Sequence, residues 1–151
     1  MRIRQAHLED IEALILMRWE LTLEHQPETS DDFELFAAEC RTFLEEAIRG
    51  ERWHIWIAEV EGVIASHMYI QLIDKVPRPG RVTYPFAYMT NVYTDPAYRS
   101  QGIGSRLLEA IRAWATENKF EFIIVWPSEE SRAFYGRNGY ALCNDPMALQ
   151  L

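Results

Sequence analysis

Residues Arg99 to Ser105 (Arg-Ser-Gln-Gly-Ile-Gly-Ser) place a cation and two glycines where an apolar run gives way to a helical pattern. The run ends at Thr94, and Asp95-Pro96 stops it, because proline fixes φ and offers no N–H to a ladder. Apolar Ile103, Leu107, Ile111, Trp114 and Ala115 then recur on one helical face. The first turn of a helix has unsatisfied N–H groups at the positive end of its dipole, and glycine lets a ligand approach that backbone closely. Such a loop could hold an anion, above all a phosphate or pyrophosphate. A glycine-rich turn that only joins strand to helix fits the local pattern equally well.

Two other phosphate loops fail here. A dinucleotide loop needs Gly-x-Gly-x-x-Gly, and the third position is Leu107; a Walker loop needs Gly-Lys, and the chain has no such pair. What remains is Arg-x-x-Gly-x-Gly, read as Arg99, Gly102 and Gly104. It resembles the acetyl-coenzyme A loop of the GNAT superfamily of N-acetyltransferases. The flanking Pro96, Tyr98 and Leu107-Leu108 agree. Downstream, Ser131-Arg132-Ala133-Phe134-Tyr135-Gly136-Arg137-Asn138-Gly139-Tyr140 is similar to the Phe-Tyr-x-x-x-Gly-Phe/Tyr signature of that superfamily's last helix and its exit turn.

The resemblance implies acetyl-coenzyme A as cosubstrate. The backbone N–H groups of Gln101, Gly102, Ile103, Gly104 and Ser105, with Arg99 and Ser100 beside them, would take the pyrophosphate. Val92, Tyr93 and Thr94 on the preceding strand would run along the pantetheine arm. In the superfamily that strand splays from the next, which here would open a cleft between Asn91-Val92 and Ile124-Val125. A backbone N–H near Val92 would donate to the acetyl carbonyl, where charge develops.

Tyr135 matches the superfamily's helix tyrosine and becomes the candidate general acid, since a phenol of ordinary pKa about 10 can donate to a thiolate whose acid sits near 8.5. Without the resemblance, it reads as a core aromatic beside Phe134. Ser128 stands where many relatives carry an asparagine seven residues before the tyrosine. It joins the cofactor contacts, or acts as a plain N-cap. Some members carry a basic glutamate on the strand before the loop; this chain has Met89, Thr90 and Asn91 there. The base is left to Glu20, Glu24, Asp32, His67 or a chain of waters, each equally readable as a surface or structural group. Tyr69, Tyr84, Tyr88 and Tyr93 could line an acceptor pocket or simply pack.

The elements that must position these residues follow from pattern. Arg2 to Ala6 reads as a strand and Leu8 to Glu24 as a helix. Thr29 or Ser30 can cap a second helix, with Asp31 and Asp32 in its first turn and Gly50 closing it. Trp53 to Val60 and Val63 to Ile73 form a hairpin about Glu61-Gly62. After a proline-rich arm from Lys75 to Pro85, Phe86 to Thr94 leads into the glycine loop. Phe120 to Trp126 reads as a strand buried on both faces. Ser128 to Asn138 is a short helix stopped by Gly139, and Tyr140 to Leu151 a final strand or hairpin turning at Asn144-Asp145-Pro146. The order βααβββαβαβ specifies a single GNAT-like α/β domain over residues 1–151, a mixed, mostly antiparallel sheet flanked by helices. Phe86 to Trp126 should be a right-handed parallel crossover, with ligands beyond its strand ends.

Totals bound the function. With 151 residues and 48% hydrophobic content, the chain can bury a substantial core. A net charge of −8 disfavours nucleic acid and tilts weakly toward a cationic acceptor. The four histidines lack metal-ligand spacing and Cys40 and Cys143 stand alone, so no metal is expected. No apolar run approaches a membrane span and no leader opens the chain, which gives a cytoplasmic protein as the expectation. The acceptor is expected to be an amine of a small molecule or peptide. Exposed edges and aromatic content suggest a homodimer. The rival readings are a non-catalytic acyl-coenzyme A sensor of the same fold and a nucleotide-binding protein of another class.

Overall fold

Alternating residues of Trp53–Val60 and Val63–Ile73 make the central hairpin, β2 and β3, about Glu61-Gly62, both with positive φ. The computed structural model describes residues 1–144 and 146–150. Around the hairpin, β1 (Arg2–Gln5), β4 (Phe86–Thr94) and β5 (Ile123–Val125) complete one sheet of order β1-β2-β3-β4-β5. All neighbours are antiparallel except β4 and β5, which run parallel through the expected crossover.

Helices α1 (Ile11–His25) and α2 (Phe33–Arg49) cover one face, where Leu14, Ile15, Leu44 and Ile57 are fully buried. Helix α3 (Ile103–Glu117) covers the other, with Leu107 and Ile111 against Met68, Ile70 and Met89; α4 (Arg132–Arg137) joins that core through Tyr135. Each such side chain contributes about 1.5–3 kcal/mol of burial. The two layers fix the sheet between them, so a gap in the sheet becomes a passage from one helix layer to the other.

Several boundaries differ from the sequence reading. The first helix begins with a 3-10 turn, Leu8–Asp10, where Asp10 accepts from the His7 N–H and from Arg4. Asp32, not Thr29 or Ser30, caps α2, accepting from Glu34 N and Leu35 N, while the Thr29 hydroxyl bonds Asp31. The last helix starts at Arg132, because Ser128 and Ser131 close a turn on each other ahead of it. β5 is an edge strand of three paired residues, not a strand buried on both faces; Phe122 is 48% and Trp126 64% exposed. Among the described residues of 141–150 no strand forms, and Leu142, Met147 and Leu149 face solvent. The expected turn at Asn144-Asp145-Pro146 falls partly outside the described residues.

Candidate active site

β4 and β5 pair only as Ala87–Ile123, Tyr88–Ile124 and Met89–Val125. Beyond Met89, β4 continues to Thr94 with no neighbour on that side. Its other edge is irregular as well. His67 faces Tyr93 and Tyr69 faces Thr90, so Asn91 and Val92 together oppose one residue, Met68. This is a β-bulge, with Asn91 at φ +46°. Asparagine tolerates that left-handed conformation better than the β-branched and aromatic residues around it. The buried His67 holds the bulge: its Nδ1–H donates to the Asn91 carbonyl at 2.8 Å.

The split opens a cleft of about 840 Å³ reaching from α1 and α2 to α4. Val92, Ser128, Phe134 and Tyr135 line one end, and Arg18, Glu39, Cys40 and Tyr69 the other, with Asn91 between. Tyr135 is 5% exposed and packs on Phe134 and Tyr140, with ring centroids at 5.2 and 5.4 Å. Its hydroxyl makes no hydrogen bond among the described residues. Burial, and to a lesser degree Tyr140, pushes the phenol up to about 12.

The glycine loop behaves as its residue types suggest. Gly102 sits at φ +76° as the N-cap of α3, and the first backbone bond of the helix runs from Arg106 N to Gly102 O, at 3.1 Å. The amides of Ser100 to Ser105 therefore have no backbone acceptor. Gly104 is required by close approach: a Cβ there would stand 3.2 Å from Phe134 Cζ and 3.8 Å from Thr94 Oγ1. Gly104→Ala would gain about 1 kcal/mol of helix propensity against that crowding, so its net effect is small. Gly104→Val gains less propensity and adds two methyl groups, which must displace the Phe134 ring. We expect it to lower stability by about 1–3 kcal/mol and weaken coenzyme A binding, read by thermal melts and calorimetry.

Not every anticipated contact faces the cleft. Arg99 turns toward α1: its Nε–H donates to Thr94 O at 2.8 Å, and Nη2 to both carboxylate oxygens of Glu24, at 2.7 and 2.8 Å. Tyr93 is buried with its hydroxyl on Glu24, the Thr94 hydroxyl bonds Ser66, and Ile103 packs into the core. Ser128 lines the cleft without being the helix cap. Of the four tyrosines proposed for an acceptor pocket, Tyr69 and Tyr88 line the cleft; Tyr84 and Tyr93 do not.

The candidate bases lie elsewhere. Glu24 is held by Arg99 and Tyr93, Asp32 caps α2, and Glu20 is exposed away from the cleft. His67 is wholly buried behind the cleft wall, and burial lowers its pKa to about 4. Asn91 lines the cleft at the edge where the sequence put it, whereas Arg18 and Cys40 were not proposed as site residues. Asn91 alone carried a signal, as a strand-averse residue within a strand.

A mixed sheet split beside its only parallel pair, with a glycine-led helix start next to the gap, defines an α/β protein of the acetyltransferase class. Residues 12–140 match the Acetyltransferase (GNAT) family, and the chain belongs to it. The family's acyl donor is acetyl-coenzyme A. Among solved structures, the chain is similar to a predicted acetyltransferase with acetyl-CoA from Clostridium acetobutylicum, at 25% identity over 99% of this chain and 95% of that one, TM-score 0.81. It shares its fold with a GCN5-related N-acetyltransferase from Ralstonia eutropha, at 22% identity over 99% and 97% of the two chains, TM-score 0.77. The same holds for glucosamine-6-phosphate N-acetyltransferase from Arabidopsis thaliana, at 22% identity over 99% and 97%, TM-score 0.72. No curated protein sequence matches the chain.

Proposed function

We propose that the protein transfers the acetyl group of acetyl-coenzyme A directly to a primary amine of a small molecule or peptide, within a ternary complex. The observation that carries this reading is the end of β4–β5 pairing at Met89–Val125, which opens one cleft between the bulge at Val92 and Tyr135. The amides of Gln101 to Ser105, lacking backbone acceptors, suit a diphosphate, and a helix start favours its charge. The broken ladder beside Val92 and Thr94 suits the amide groups of a pantetheine arm. Tyr135 donates to the departing sulfur. With no carboxylate on β4 and only the exposed Glu39 among the carboxylates of the described lining, water takes the proton from the incoming ammonium.

Among the described residues no helix is long and apolar enough to cross a membrane, and no group of three or more His, Cys, Asp or Glu could hold a metal. We assign the protein to the cytoplasm and read residues 1–151 as one catalytic domain. The edge of β5, with Phe122 and Trp126 exposed beside it, supports a homodimer. Thiol release from acetyl-coenzyme A over a panel of amines tests transfer. Amine-dependent release is expected; tight binding of the cofactor with no release for any amine would replace the enzyme by a sensor.

A further inference from the structure

We propose that the acceptor amine also carries an anionic group, a carboxylate or a phosphate, and that Arg18 and Tyr69 hold it at the α1–α2 end of the cleft. This rests on the transfer reading above and narrows it. Arg18 is half-buried on α1 and is the only arginine or lysine among the described residues lining the cleft. Its guanidinium meets no carboxylate and no other acceptor among them. Arg4, similarly covered, is by contrast closed on both Asp10 and Glu59. Withdrawing a guanidinium from water without a partner costs free energy that an anion would restore.

The second observation is independent of that charge. Tyr69 is 3% exposed and lines the same cleft, and among the described residues its hydroxyl completes no hydrogen bond, its neighbouring acceptor being the Asn91 side chain. A buried hydroxyl without a partner is uncommon in a native fold and marks a place for a ligand atom. Burial, with the Cys40 thiol beside it, raises the Tyr69 phenol well above its ordinary range, while Arg18 and the neighbouring Asn91 side chain pull the other way, so guanidinium, hydroxyl and amide share one region. Both are donors. A planar fork beside a single O–H suits an oxyanion with two or three acceptor oxygens.

The third unpartnered atom has the opposite character. Asn91 Oδ1 is buried on the bulge next to Val92, beside the Tyr69 hydroxyl, and among the described residues no donor closes a hydrogen bond on it. An acceptor there suits an N–H of the attacking amine and would turn its lone pair toward the thioester. Phe36, Phe43 and Trp53 form an aromatic wall between α2 and β2, so the body of the acceptor is apolar. A plain hydrophobic amine would leave Arg18 and Tyr69 unsatisfied, and a polycation would set its charges against Arg18. The net charge of −8 does not decide the matter, because exposed charges are screened beyond about 8 Å at physiological salt.

The test compares phenylalanine, its methyl ester, phenethylamine and phosphoethanolamine as acceptors of wild type, Arg18→Leu and Tyr69→Phe. Calorimetric binding of each compound is measured separately. An amine with an anionic group should exceed its neutral counterpart by about tenfold or more in kcat/KM, and Arg18→Leu should shrink that ratio to within about twofold. Tyr69→Phe should shrink it in part, and both variants should keep wild-type affinity for acetyl-coenzyme A, which verifies their fold. Phosphoethanolamine outrunning phenylalanine, although it lacks an apolar body, would assign a phosphate in place of a carboxylate. Neutral amines preferred by wild type, or a preference that survives Arg18→Leu, overturns the proposal. Should no amine be acetylated, Arg18-dependent binding of the anionic compounds still supports the subsite while removing the transfer reading; no such binding removes the subsite as well.

Discussion

Replacing Tyr135 with Phe should lower kcat by about 10²- to 10⁴-fold, the range for loss of a general acid, and leave acetyl-coenzyme A affinity within about twofold. The substitution is clean on structural grounds. The ring packs on Phe134 and Tyr140, and Phe retains that packing. Among the described residues the hydroxyl has no partner, so its removal strands no donor or acceptor there and stability should scarcely change. If Tyr135 were only a core aromatic, turnover would therefore be untouched. With the phenol pushed up to about 12, it stays protonated wherever a free amine exists. The wild-type rate should climb with amine deprotonation and show no falling limb below about pH 11. The same shift makes complete proton delivery to a thiolate uphill, so in the proposed transfer Tyr135 would contribute mainly a hydrogen bond to the sulfur as charge develops there. Loss should thus appear equally in kcat and kcat/KM, the signature of a contact made in the transition state. A variant with near-normal turnover ends this role for Tyr135.

What could be read in advance depended on whether a residue's own backbone demand revealed its place. The limits of β2, β3 and β4 were legible because alternation, Glu61-Gly62 and Asp95-Pro96 are local signals. Gly102 was legible for the same reason, by its positive φ, whereas Gly104 reads as room for a ligand and its closest neighbour is instead the distant Phe134 ring. The bulge was not, since it arises from a mismatch between β3 and β4 that neither strand records alone. Arg18 and Tyr69 come together only because α1 packs on the sheet at β4, the neighbour of β3; nothing in the spacing along the chain joins them. The reach of Arg99 to Glu24 likewise depends on where α1 ends, so a residue that reads as a phosphate ligand closes on a carboxylate. β5 misled for a different reason. Its apolar run is the composition of a buried strand, but only three residues pair, on one side.

The second large effect is an acid-labile contribution to stability from His67. This side chain is fully buried, donates from Nδ1 to the Asn91 carbonyl, and leaves Nε2 buried without a partner. Protonation would put a cation between the Tyr69 and Tyr93 rings and within the field of Arg18, with no carboxylate to meet it. Burial therefore lowers its pKa to about 4, and the bond to Asn91 opposes the shift only in part. Between pH 6.5 and pH 4 the unfolded chain binds a proton that the folded chain does not, so stability rises with pH across that window. Above pH 6.5 the contribution is complete; it is lost as pH falls through 4. Its size is about 3 kcal/mol, from 1.36 kcal/mol per unit of pKa. Urea denaturation at pH 7 and pH 4.5 should show most of that loss. His67→Leu should be less stable at pH 7, because the Asn91 carbonyl loses its donor, and should keep between pH 6.5 and 4 only the smaller slope of His54, whose pKa burial also lowers. Asp10, held below its ordinary carboxylate range by Arg4 and the His7 amide against the cost of burial, acts only at lower pH and should still unfold the variant there. A slope between pH 6.5 and 4 that is undiminished in His67→Leu would assign it to other groups. The link to the site is position: His67 lies behind the cleft wall and keeps its Nδ1–H bond to Asn91 in either protonation state, so acid weakens the sheet beside the cleft through the buried, unpaired charge and not through loss of the bulge.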